Sequence, residues 1–366
     1  MTIAKNHHYI PQSYLRNFAF EKNREHYVFV RYRGEKFHTV NIRNICSENY
    51  FYTLPSDHVD PNIIETFYAN NIDNVFPLLY EIAHNFSIEE VDQDTIKKII
   101  RSAVSLYVRT PRFLRMYTEH IKLMLANLHE RAQDYPHVEK AKFLGEEIDI
   151  RTVDFKQLEE EFVQKGKIIF LTQHLDVLEA FVESRKANCI GINTISDNSE
   201  FITCDNPIIL ANSKTGDNFN LLDPKNTLYL PLGPKHMLAI LPESYEWSGG
   251  KVLRIMSEKD FTIGINSRLE NNSESWIIGS KDSVNNYLVD IELYNREIPE
   301  NFQRLDDIKE KAKLMDELNV VLNQSGGELN VAVITKIVEL SKNRLFKDDP
   351  NFERHLKNLK EQGLIQ

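Results

Sequence analysis

The chain has 366 residues, 42% of them hydrophobic and 27% charged; this globular balance supplies ample material for a core and excludes extensive disorder. Its formal net charge of −10 gives no global attraction for nucleic-acid backbones, so any phosphate contact must come from a local basic patch, the best being Arg101, Arg109, Arg112 and Arg115. Cys46, Cys189 and Cys204 lack the number and spacing for a disulfide framework or a structural zinc site, and with no apolar leader and no apolar run of about 18 residues the expectation is a reduced, cytoplasmic protein that spans no membrane.

In chain order, Pro11 suits the start of a short helix carrying Tyr14, Leu15 and Phe18 on one face. Residues 26–32 and 37–42 read as a β-hairpin around Arg33-Gly34-Glu35-Lys36, with a third strand at Tyr50-Phe51-Tyr52. Asp60-Pro61 opens a helical region in which Ile64, Phe67, Ile72, Phe76, Leu79 and Ile82 hold a helical period. A long amphipathic stretch over 93–130 must break or kink at Pro111. Another runs from 154 to 186, opened by Asp154 with Gln157 and divided at Gly166.

Strand character returns at 188–194, 200–204, 227–231 and 237–241, between turns at Asp197-Asn198, Asn212-Ser213, Gly233-Pro234 and Gly249-Gly250. Residues 259–278 read as helix. After Pro299 the pattern is helical at 303–323, 330–343 and 351–361, interrupted by Ser325-Gly326-Gly327. The fold class is α+β: an N-terminal β-hairpin, a long helical middle, a mixed β-sheet and a C-terminal helical appendage. The domains expected are an α+β core over 1–298 and the appendage over 299–366.

Four segments carry candidate chemistry. His7-His8-Tyr9-Ile10-Pro11-Gln12, with Arg16, gathers imidazoles at a helix start, where a metal, a general base or a bound anion fits; the structural alternative is a cap. In Thr203-Cys204-Asp205-Asn206-Pro207, Asp205 can bind a metal or act as a base and Asn206 can orient a substrate; the alternative is an Asx-turn. Glu48 lies among aromatics with Glu65 on the following helix, and a salt bridge of Glu48 to Arg16 or Arg109 is its structural reading. Arg109-Thr110-Pro111-Arg112, at the helix break, can hold phosphate or carboxylate, or can be a salt-bridged kink.

Several stronger patterns are absent: the glycine-rich dinucleotide motif, the P-loop, HExxH and GxSxG. His7-His8 with Pro11 resembles the opening of HNH nucleases, and Asn23 falls at a matching distance. Tyr32 stands where those enzymes place a second histidine, and too little chain precedes His7 for a first strand.

His8-Tyr9-Ile10-Pro11-Gln12-x-Tyr14-Leu15-Arg16-Asn17-Phe18 resembles the opening signature of an uncharacterised, mainly microbial domain-of-unknown-function family. The supporting pieces are Glu48-Asn49-Tyr50-Phe51-Tyr52, Thr203-Cys204-Asp205-Asn206-Pro207-Ile208 and Pro231-Leu232-Gly233-Pro234. The resemblance spans roughly residues 6–280, with Cys204 where the family usually has Ser, and it brings no established activity. Two functions follow. One is a metal-assisted phosphodiester hydrolase, a nuclease-like effector of antiviral defence. Its catalytic residues would be His8, Asp205 and Glu48, its substrate contacts Gln12, Arg16, Arg109 and Asn206, and a divalent metal would sit on His7, His8 and Asp205. Its partner would be nucleic acid or another phosphate ligand. The other is a non-enzymatic sensor or interaction module, with a protein partner on the C-terminal helices.

Overall fold

The structure, a computed structural model, describes residues 5–296 except 33–36, 55–57, 136, 138, 186–189, 213–215, 218–220 and 243–249. In the C-terminal region it describes 310, 313–314, 317–318, 320–321, 330–346, 350–361 and 363. The fold is α+β. The expected turns at 33–36 and 325–327, most of the helix at 303–323, and Cys189 lie outside the described residues.

The chain begins with β1 (Asn6–His8) and α1 (Gln12–Leu15), with Pro11 at the N-cap. A short strand absent from the sequence reading, β2 (Phe20–Lys22), turns into β3 (Glu25–Tyr32). Asn23 and Arg24 both take positive φ, the two-residue hairpin geometry in which asparagine is favoured. The expected hairpin is β3 with β4 (His38–Asn41). The third strand falls earlier than expected, at β5 (Ser47–Asn49), and pairs with β1. Tyr50, at φ +54, turns the chain there and sends Phe51 and Tyr52 into the core.

Helices follow: α2 (Ile63–Asn71), α3 (Phe76–His84), α4 (Gln93–Val108) and α5 (Pro111–Asp134). Asp60 braces the start of α2 by accepting the Asn62 N–H. The Pro111 break is a clean one: Thr110 caps α5 by accepting the Phe113 N–H, with Pro111 in its first turn. An unanticipated hairpin, β6 (Lys140–Phe143) and β7 (Glu146–Asp149), precedes α6 (Phe155–Arg185). Gly166 does not divide α6, which runs unbroken for 31 residues. It lets α5 approach closely instead, since a Cβ there would meet Ile121 Cδ1 at 2.3 Å. Ile121, Leu125, Phe143, Ile148, Leu158 and Phe162 form a small core of their own.

The larger sheet draws on β8 (Ile190–Ile195). The next strand, β9 (Thr203–Cys204), is two residues long and joins another sheet. The order β11-β10-β12-β13-β8-β14 then comprises β10 (Ile209–Asn212), β11 (Gly216–Asp217), β12 (Asn226–Pro231), β13 (His236–Ile240) and β14 (Val252–Ser257). It is antiparallel except for β14 on β8. The expected helix at 259–278 ends early: α7 (Lys259–Asn272) stops, and Trp276–Gly279 is β15, paired with β3 and β9. The β-branched pair Ile277-Ile278 is buried there between strands, which favours extended backbone.

The chain divides into two compact units, 1–288 and 289–366, with α8 (Lys281–Arg296) running across the division. In the second unit, α9 (Val331–Ser341) and α10 (Pro350–Glu361) contribute to a core of Leu318, Val333, Ile337, Leu340, Phe346, Phe352 and Leu359. No helix among the described residues is long and apolar enough to cross a membrane.

Candidate functional site

The β1–β5 register sets His7 opposite Glu48, and side chains alternate faces along each strand. His7 points inward and is fully buried, its ring parallel to that of Tyr52 at 5.8 Å. Its Nδ1 accepts the Tyr52 N–H at 3.0 Å, so that nitrogen carries no proton. His8 is half-buried. Its Nε2 is buried without a hydrogen-bond partner, and burial pulls the imidazole below its ordinary pKa.

Beside them lies Arg109, which is completely buried and reaches the backbone of His8 and Tyr9. Its Nε donates to the Tyr9 carbonyl at 2.8 Å, Nη2 to the His8 carbonyl at 3.0 Å and Nη1 to Asp73 Oδ1 at 2.8 Å. The guanidinium lies 4.6 Å from the centre of the Tyr68 ring, and the Tyr52 hydroxyl donates to the Arg109 carbonyl at 2.6 Å. Arg109 thus ties the N-terminal strand to the α4–α5 break, and the expected pairing with Glu48 is replaced by Asp73. Glu65 on α2 senses the same guanidinium. Burial pushes its carboxyl up to about 7, and the Arg109 charge offsets this only in part.

The Asp205 segment is a second hub. Asp205 Oδ1 accepts the Glu274 N–H at 2.9 Å, and Oδ2 accepts those of Ser275 at 2.7 Å and Trp276 at 3.2 Å. Burial pushes this carboxyl up, and the three donors partly oppose it. Asn206 Nδ2 and Arg112 Nη1 both donate to the Asn272 carbonyl, at 3.4 and 2.9 Å, closing the C-terminal end of α7. In place of the local Asx-turn offered as the structural alternative, Asp205 makes a long-range clasp on the turn between α7 and β15. Tyr14 and Thr203 share a 2.7 Å hydrogen bond that joins this hub to α1. The negative charges of Asp205, Glu48 and Glu274 all bear on the Tyr9 hydroxyl, whose ionisation burial already opposes. The two signature segments therefore meet through Tyr9 and Tyr14.

Glu48 is exposed and lines a cleft of about 270 Å³ with Phe51, Leu114, Arg115, Thr118 and Lys167. Arg115 pairs with Glu274, and Lys167 Nζ lies 6.0 Å from the Phe51 ring centre. Arg16 is exposed and Gln12 partly so, and Arg16 forms no ion pair among the described residues, Glu48 included. Arg115 and Lys167 line the same cleft as Glu48, and the Glu48 charge bears on Arg115. Asp73, Glu274 and Lys167 escaped sequence reasoning. Each is a single charge on or beside an amphipathic helix, indistinguishable in the sequence from a solvated face.

Among the described residues no three His, Cys, Asp or Glu side chains gather closely enough to hold a metal ion. His7, His8 and Asp205 are thus not assembled as a ligand set: His7 faces Tyr52, and Asp205 faces the backbone of 274–276. No curated protein and no solved structure matches the chain. A family model does match, over residues 6–283, the span that contains both hubs and the cleft; the chain belongs to the family described as "Protein of unknown function (DUF4238)".

Proposed function

We propose that the family core is a receptor for a small phosphate-bearing ligand, held in the cleft beside β5. The observation that carries this reading is the convergence of Arg115 from α5, which also pairs with Glu274, and Lys167 from α6 on one cleft that Glu48 also lines. Two cations suit a phosphate, and a carboxylate in the same cleft suits a hydroxyl or amino donor on the same molecule. Thr118 and Gln164 add hydrogen-bonding groups, and Leu114, Val163 and Phe51 add apolar lining. A receptor is favoured over a catalyst because most groups with catalytic chemistry are committed to backbone atoms: His7 Nδ1, both Asp205 oxygens, Asn206 and Arg109. The test is thermal denaturation with inorganic phosphate, nucleoside phosphates and sugar phosphates. Ligand at about a hundred times its Kd stabilises by about 2.7 kcal/mol, and Lys167→Glu and Arg115→Ala should abolish the gain. No shift with any of these compounds at about 1 mM, the Kd of a bond worth about 4.1 kcal/mol, refutes it.

A second reading, a phosphodiester hydrolase acting as a nuclease-like defence effector, is favoured by one observation. Around Arg109 stand a histidine with a buried, unpartnered Nε2 and a carboxyl near neutrality. His8 and Glu65 would exchange protons with substrate and water. Hydrolysis of a chromogenic phosphodiester, with and without added divalent ions, should fall at least tenfold in both His8→Ala and Glu65→Gln; equal rates refute it.

A further inference from the structure

Along β3 the residues alternate as half-buried sheets require, but the outward positions are not the usual polar ones. Val28 and Val30 face the core, while Tyr27, Phe29 and Arg31 take the opposite face and are partly exposed. Phe20 on β2 stands opposite Tyr27, 42% exposed, with ring centres 6.1 Å apart and planes inclined by 28°. Phe37, just before β4, stacks on Phe29 at 5.2 Å and 11°, and the Arg31 guanidinium lies 5.8 Å from the Phe37 ring centre. Two stacked aromatic pairs thus sit side by side on one partly exposed face of the sheet, two residues apart on its central strand. Neither pair belongs to the hydrophobic core.

The charge of this segment opposes that of the chain. Residues 20–43 hold six lysines and arginines against three glutamates, in a protein of net charge −10. Arg31 is paired with Glu270 and Arg43 with Glu25. Lys22 and Arg24 are exposed at the β2–β3 turn, beside the Phe20–Tyr27 pair, and form no ion pair among the described residues.

We propose that the solvent face of the β2–β3–β4 sheet is a stacking platform for single-stranded nucleic acid. Unpaired bases would lie on the Phe20–Tyr27 and Phe29–Phe37 pairs, and their phosphates would run past Lys22 and Arg24. Aromatic rings on a sheet bind bases with little regard to sequence because every base has a π-face, and flanking cations track the backbone. A duplex, whose bases are already stacked on one another, cannot use such a platform. This site is separate from the small-ligand cleft, and no residue is shared between them.

The experiment is fluorescence anisotropy of the full chain with labelled oligothymidine, oligouridine and a DNA duplex, each about 16 nucleotides or base pairs long. Both single strands should bind, with a preference between them showing whether DNA or RNA is the better ligand, and the duplex should bind at least tenfold more weakly. Phe29→Leu keeps apolar bulk and removes the ring, and Phe20→Ala alters an exposed edge residue. Each should weaken binding about fivefold or more, the loss expected for one stacked base, with the melting temperature showing that the fold is kept. Lys22→Ala should lower the slope of log affinity against log salt by about 0.7. No binding of either single strand at about 100 µM protein, the weak limit of non-specific association, overturns the proposal. So does equal affinity for the duplex, or unchanged affinity in both aromatic variants.

Discussion

Replacing Asp205 separates a clasp from a catalytic carboxylate. In Asp205→Ala three backbone donors, the N–H groups of Glu274, Ser275 and Trp276, lose acceptors at 2.7–3.2 Å. A polar group left unsatisfied on burial costs about 1–3 kcal/mol. These donors are only part-buried, so water recovers some of the loss, and the lower bound, about 3 kcal/mol in total, is the appropriate figure. In a unit of this size that corresponds to a fall in melting temperature of about 6–12 °C. Asp205→Asn keeps one acceptor oxygen but turns an NH2 toward a donor, so it should fall about half as far. Differential scanning calorimetry of both variants is the assay. Catalytic carboxylates are commonly removed with little loss of stability, because their sites are strained. An Asp205→Ala protein melting within about 2 °C of the parent would therefore refute the clasp and return Asp205 to the catalytic candidates.

Glu65 links stability to pH. Its carboxyl is raised from 4.5 to about 7 in the folded chain, so the fold favours its protonated form. That contribution is complete below pH 4.5 and is lost as pH rises toward 7. Glu65→Gln, permanently neutral, should match the parent in urea denaturation near pH 4.5 and be the more stable above pH 7; parallel profiles would contradict the assignment. Arg109→Met should cost about 3–5 kcal/mol, the usual loss on removing one partner of a buried ion pair, because Asp73 and the His8 and Tyr9 carbonyls lose their donor together. The measurement is the urea midpoint, and a loss below about 1 kcal/mol would show that the hub is dispensable. Gly250→Ala should be severe, since its φ is +74° and a Cβ there would lie 1.9 Å from the Val91 carbonyl oxygen. Gly166→Ala should be mild, because the atom it meets is the end of the Ile121 side chain; melting curves that rank the two glycines the other way would refute this reading.

Local signals were enough for much of the architecture. Pro111 has no N–H and its ring collides with the preceding turn, so the break between α4 and α5 is written into one residue. The family resemblance was likewise legible, because the opening signature is a contiguous string and the match to residues 6–283 bears it out. Local signals failed where partners decide the outcome. Residues 276–279 are extended because β3 and β9 flank them, and Gly166 stays helical within an unbroken α6, packed against the Ile121 side chain. The site shows the same division. Sequence pointed to the histidines, Arg109 and Asp205 as residues with chemistry to spare. Only the tertiary structure decided how that chemistry is used, because whether an imidazole or carboxylate is free depends on which distant N–H or carbonyl reaches it. Here Tyr52, the turn at 274–276 and the His8 and Tyr9 carbonyls reach them first.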